Sequence, residues 1–235
     1  MMKQRILAVG LAVVLTLGAS VPAWAGTEVG LVDRGVVEDY TEAPTFICSF
    51  SPTMLTDEQL SEFVANAPDI WDTRSAVTMT NRRMTTAEII AWGVEFWELG
   101  GINAFELEVV RLINIERAAY GLHPLAISPQ LSLAARFHSQ EMADLNYFAH
   151  RSEIYGRGTA RAELFGHENQ QMGFFGVGEN LHGGAFTPER AVRGWMNSAG
   201  HRRAILCPDA LTIGIGAVRM SDNGIMGRTT AKFGF

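Results

Sequence analysis

Leu211-Thr212-Ile213-Gly214-Ile215-Gly216-Ala217-Val218 is an apolar run rich in Ile and Gly near the end of a 235-residue chain. The turn residues Asp222-Asn223-Gly224 separate it from a second extended run that ends at Phe235, the pattern of a β-hairpin. Upstream the signals are helical. Thr187-Pro188-Glu189 sets a cap before a Pro at the first helical position and starts a helix through Val192 and Trp195. Ser128-Pro129 repeats that signal for a helix through Leu131, Ala135, His138, Met142 and Leu145. A shorter helix is expected over 159–165, and Asn103 with Glu106 begins one that Gly121 closes. Helices followed by a terminal hairpin imply an α+β layered domain with an antiparallel sheet.

Further toward the N-terminus, Thr85 with Glu88 opens a helix stopped by Gly100-Gly101, and Thr56 with Gln59 opens a short one that Pro68 ends. These two helices are too small to bury a core alone and are expected to dock on the domain at 101–235. Residues 26–47 are polar and acidic without periodicity and read as a flexible leader. Lys3 and Arg5, the apolar stretch Ile6 to Leu17 and Ala23-Trp24-Ala25 read as a secretory signal over 1–25, cleaved before Gly26. The stretch is shorter than the roughly 20 residues that span a bilayer, so no lasting membrane span is expected. The expected location is the cell envelope or the exterior.

The 19 basic and 25 acidic residues give a net charge of −6, which becomes −8 once Lys3 and Arg5 leave with the signal. Without a clustered basic face, this composition argues against nucleic acid as a partner. Cys48 and Cys207 sit in a chain bound for a compartment where disulfides persist, and they are expected to pair; the alternative is two buried thiols.

Chemistry is sought among six histidines. His150 follows the helix ending near Leu145, His201 follows Ser198-Ala199-Gly200, and Glu179 lies in Gly178-Glu179-Asn180. Two imidazoles and a carboxylate suit a divalent cation with open positions, but they equally suit a hydrogen-bonded network that ties three loops together. His138 and Glu141 form a second pair at helical spacing, read first as packing, and Ser198 beside His201 reads first as a helix stop rather than a nucleophile.

Four phrases in order, LINIERAAYGLHPL (112–125), LSLAARFHSQEMADLNYFAH (131–150), GVGENL (176–181) and AVRGWMNSAGHRRAIL (191–206), resemble the bacterial branch of the CAP superfamily. This superfamily, also called the SCP domain, includes cysteine-rich secretory, antigen 5 and pathogenesis-related proteins, and the resemblance covers about 101–235. It implies an α-β-α sandwich whose cleft is floored by two histidines and two glutamates. His150, Glu179 and His201 match three of these; at the fourth, three residues beyond Trp195, this chain has Ser198, and Glu189 is no ready substitute. The implied function is binding of a ligand (a lipid, a peptide or a cell-wall component) or a protein partner through the cleft, with Zn²⁺ or another divalent cation at His150, His201 and Glu179. The alternatives are a metal-dependent hydrolase with Glu179 as general base and catalytic residue, and a structural scaffold of the envelope.

Overall fold

The computed structural model describes residues 54–67, 69, 74–167, 176–185, 187–220 and 226–235. The expected signal, the leader, Cys48, Pro68 and the turn Asp222-Asn223-Gly224 lie outside them.

Helices α1 (Asp57–Asn66), α2 (Thr86–Glu98) and α3 (Ala104–Ala119) each open with a capping box, formed by Thr56 with Gln59, Thr85 with Glu88 and Asn103 with Glu106. Each box satisfies backbone N–H groups that the first helical turn leaves without partners. Helices α4 (Pro129–Asp144) and α6 (Pro188–Met196) start on the expected prolines, and the hydroxyls of Ser128 and Thr187 accept from the amides of Leu131 and Arg190. Two short helices, α5 (Gly158–Leu164) and α7 (Ala199–Ile205), complete the set among the described residues. Gly121 ends α3 with φ of 70°, a left-handed conformation costly for any residue with a Cβ.

Strands β1 (Ala126–Ile127), β2 (Gly178–Ala185), β3 (Thr212–Arg219) and β4 (Met226–Gly234) form one sheet in the order β1-β3-β4-β2. The terminal hairpin is present, and β4 pairs antiparallel with both β3 and β2. The expected antiparallel sheet is therefore found, with one addition at its edge, where the two-residue β1 runs parallel to β3. Two residues are too few to carry any period-two pattern, which is why β1 was not legible.

Register decides which side chains meet. Glu179 of β2 and Gly214 of β3 both stand opposite Lys232 of β4, and Gly216 stands opposite Thr230. Directly opposed residues share a face, and α4 lies on this one. A Cβ on Gly216 would fall 1.9 Å from the backbone N of Arg136, and one on Gly214 would fall 2.2 Å from the backbone of Leu131. Glycine therefore lets the helix backbone rest on the strand. Ile213, Ile215 and Ala217 are buried and, by strand alternation, face the other way, toward the layer in which α3 and α6 pack together. His182 of β2 meets Trp195 of α6 edge-on there, with ring centroids 6.4 Å apart. The architecture is α+β, with helices on both faces of the sheet.

Helices α1 and α2 contribute Leu60, Ile89, Trp92 and Phe96 to the same apolar core. Trp92 is wholly buried, meets Phe137 at 5.2 Å and donates its Nε1–H to Gln140 Oε1 at 3.0 Å. Arg136 of α4 pairs with Glu106 of α3 and donates to Gly101 O at 2.7 Å, and Glu106 Oε1 accepts from the Ala217 amide at 2.8 Å. One buried ion pair thus joins α3, α4 and β3. Among the described residues no helix is long and apolar enough to cross a membrane.

Candidate functional site

Glu179 is the second residue of β2, the edge strand beyond β4. The Nζ of Lys232, its cross-strand neighbour, donates to Glu179 Oε2 at 2.6 Å and to Gly158 O at 3.2 Å. Arg161 of α5 reaches the same carboxylate oxygen at 2.8 Å. It also donates to His150 O at 2.9 Å and to Gly156 O, so one guanidinium joins the carboxylate to the loop that carries His150. The side chains of Arg161 and Lys232 are fully buried and that of Glu179 is 7% exposed. Space for this trio depends on Gly158, where a Cβ would lie 3.1 Å from Glu179 Oε2 and 3.2 Å from Lys232 Nζ.

His150 completes the contact from the solvent side, its Nδ1 3.0 Å from Glu179 Oε1 with the side chain 57% exposed. An ionised carboxylate only accepts, so Nδ1 is the donor, and Nε2 on the far side of the ring is turned from Glu179.

His201 arrives differently. Asn180, next to Glu179 and so on the other face of the strand, donates Nδ2–H to His201 O at 3.0 Å. Buried Arg117 secures the end of the same helix by donating to Ile205 O at 2.7 Å and Cys207 O at 2.8 Å. The His201 ring is partly buried, and burial followed by the nearness of His150 and His182 lowers its pKa. The three expected residues therefore gather at the edge of β2, His150 by a ring contact and His201 by its backbone. Among the described residues Glu179 makes no hydrogen bond to His201.

Burial alone would push the Glu179 carboxyl up, but Lys232, the hydrogen bond from His150 and Arg161 hold it well below the usual carboxylate range. Burial lowers the Lys232 ammonium to about 8, against the attraction of Glu179. Glu179 does not fit as a ligand of a divalent cation. Oε2 is shared by two buried cations, Oε1 is engaged by His150, and no group of three His, Cys, Asp or Glu among the described residues is placed to hold a metal.

Ser198 stands partly buried at the N-cap of α7, and Glu189 lines a separate groove between α3 and α6 with Glu116 and Met196. His138 and Glu141 are buried close to the trio of Glu179, Arg161 and Lys232, His138 Nε2 lying 3.0 Å from Ala149 O and Glu141 accepting from Ser152. Cys207 is partly buried after α7. Arg161 and Lys232 were not singled out from sequence. A lone Lys232 in Thr229-Thr230-Ala231-Lys232-Phe233 is a usable signal, because a charge at a buried strand position needs a partner.

The family profile of CAP, the cysteine-rich secretory protein family, matches residues 110–228. Over 117 residues, half of this chain, the sequence is 44% identical to the uncharacterized protein YkwD of Bacillus subtilis, of which this covers 44%. Over 114 residues, 48% of the chain, it is 36% identical to the uncharacterized membrane protein YlbC of the same organism, of which this covers 32%. The chain thus spans less than half the length of these curated relatives. An extracellular SCP-domain protein from Bacillus anthracis aligns over 65% of this chain and 45% of its own, with a TM-score of 0.48 and 25% identity.

Proposed function

Since the chain belongs to the cysteine-rich secretory protein (CAP) family, we propose that it is an exported binding module whose ligand docks at the edge of β2, between the imidazoles of His150 and His201. The observation that carries this reading is the state of His150. Its Nδ1 is held by Glu179 at 3.0 Å, yet the side chain is 57% exposed, which presents Nε2 to an incoming group in a fixed orientation. Behind it two buried cations, Arg161 and Lys232, meet Glu179, and the buried carboxyl of Glu141 lies close by, bonded to His138 and Ser152. Polar rings over this charged, hydrogen-bonded floor favour a polar ligand with carboxylate and hydroxyl groups, such as a cell-wall glycan bearing peptide stems, over a purely apolar lipid. Export is inferred from the signal pattern over residues 1–25.

A hydrolytic role for Glu179 has less physical support. A carboxylate held by two buried cations and a histidine is a weak base, whereas a general base works best with a pKa near the operating pH. The test is a titration of the protein with soluble wall fragments, with anionic lipid vesicles and with a peptide pool. Saturable binding to wall fragments that His150→Ala and His201→Ala each weaken, with the thermal midpoint unchanged, is expected. Binding that both variants retain in full, or binding to vesicles or peptides alone, overturns it.

A further inference from the structure

We infer that the Lys232 ammonium is the resident cation of this site, neutralising Glu179 in place of a divalent ion, so that the cleft between His150 and His201 works without metal. The inference deepens the binding reading and rests on it for the identity of the site.

Register fixes the arrangement. Lys232 stands directly opposite Glu179 on the neighbouring strand, and its Nζ is 2.6 Å from Oε2 and 3.2 Å from Gly158 O. The side chain is fully buried, and the Gly158 backbone lies against it, so the ammonium cannot swing into water while α5 stays packed. Arg161, equally buried, takes the same oxygen at 2.8 Å. These contacts meet the need that a metal would meet, a positive charge beside a buried carboxylate.

The same contacts oppose a metal at the rings. His150 directs its Nδ1 toward Glu179, so an ion could meet only Nε2, with the carboxylate behind the imidazole. Such an outer-shell carboxylate ordinarily strengthens a histidine ligand. Here its charge is already matched by Lys232, Arg161 takes the same oxygen, and the remaining candidate donor is the ring of His201. Two imidazoles whose backing carboxylate is already neutralised form a poor cage for a divalent ion.

The test is calorimetric titration of tag-free protein with Zn²⁺, alongside Lys232→Met, which keeps the length of the side chain and removes the charge. Wild type is expected to give no saturable heat, and Lys232→Met to bind Zn²⁺ at least about tenfold more tightly than wild type, with the gain lost when His150→Ala is added. Stoichiometric Zn²⁺ binding by wild type that His150→Ala or His201→Ala abolishes overturns the inference. A folded Lys232→Met that gains no affinity overturns the part assigned to Lys232. Should that variant not fold, the wild-type ammonium resonance of Lys232 followed by NMR decides instead: it is expected to stay unchanged on addition of Zn²⁺, and its loss or displacement at stoichiometric metal overturns the inference. Ligand titrations in chelator read the binding reading separately, since wall fragments either bind there or do not.

Discussion

Arg161 reaches Glu179 Oε2 at 2.8 Å with its own side chain wholly withdrawn from water, and it carries the carbonyl of His150 at 2.9 Å. Without it Lys232 still pairs with Glu179, but two carbonyls and one carboxylate contact lose their donor. Arg161→Met is therefore expected to cost about 1–3 kcal/mol, read as a lower urea midpoint. Arg161→Lys is expected to recover only part of this, because an ammonium cannot reproduce the planar fork that serves the carboxylate and two carbonyls together.

The approach of α4 to β3 makes an independent prediction. At Gly216 a Cβ would meet the backbone N of Arg136 at 1.9 Å, whereas at Gly200 of α7 it would meet nothing within 4 Å. Gly216→Ala must separate helix from strand and is expected to destabilise by about 1–3 kcal/mol or more. Gly200→Ala is expected to be neutral or to stabilise by up to about 1 kcal/mol, through helix propensity alone. Thermal melts of the two variants side by side measure the contrast.

Stability is expected to fall in two stages on acidification. Burial lowers the pKa of His138 from its ordinary 6.5, so the unfolded chain takes up a proton there that the folded chain refuses. Stability from this group is present above pH 6.5 and is lost as pH falls from there toward the folded value. Burial would raise Glu179, but Lys232, His150 and Arg161 outweigh it and hold the folded pKa well below 4.5. Its contribution is present above pH 4.5 and is lost as pH falls through the folded value. Urea midpoints measured against pH should show both declines, and His138→Gln should shrink the upper one, to which His167 and His201, also lowered by burial, contribute, while keeping the lower.

Cys48 and Cys207 are expected to form a disulfide in the exported protein. A thiol titration of the unfolded, unreduced chain should then find no reactive group, and reduction should lower stability by up to about 5 kcal/mol, the entropy of closing so long a loop. Two titrating thiols in freshly exported protein would count against the bridge.

Much of the fold was written locally. Thr56, Thr85, Asn103, Ser128 and Thr187 each cap the helix expected of them, because a cap depends on a side chain and an amide only two or three residues apart. The hairpin was legible for the same reason, as two extended runs about one turn. Strand β2 was not: Gly178-Glu179-Asn180-Leu181-His182-Gly183-Gly184 has little intrinsic strand preference and is a strand because β4 pairs with it.

By itself, the order of residues determined the class of the fold, the family resemblance and the names of His150, Glu179 and His201. Only the tertiary structure decided what those residues do to one another. Glu179 and Lys232 are far apart along the chain and meet because the register of β2 on β4 sets them opposite each other, while α5 adds Arg161 to the same oxygen. Pairing register and burial are properties of the packed sheet, and with them come the charge of the site and its capacity for a metal ion.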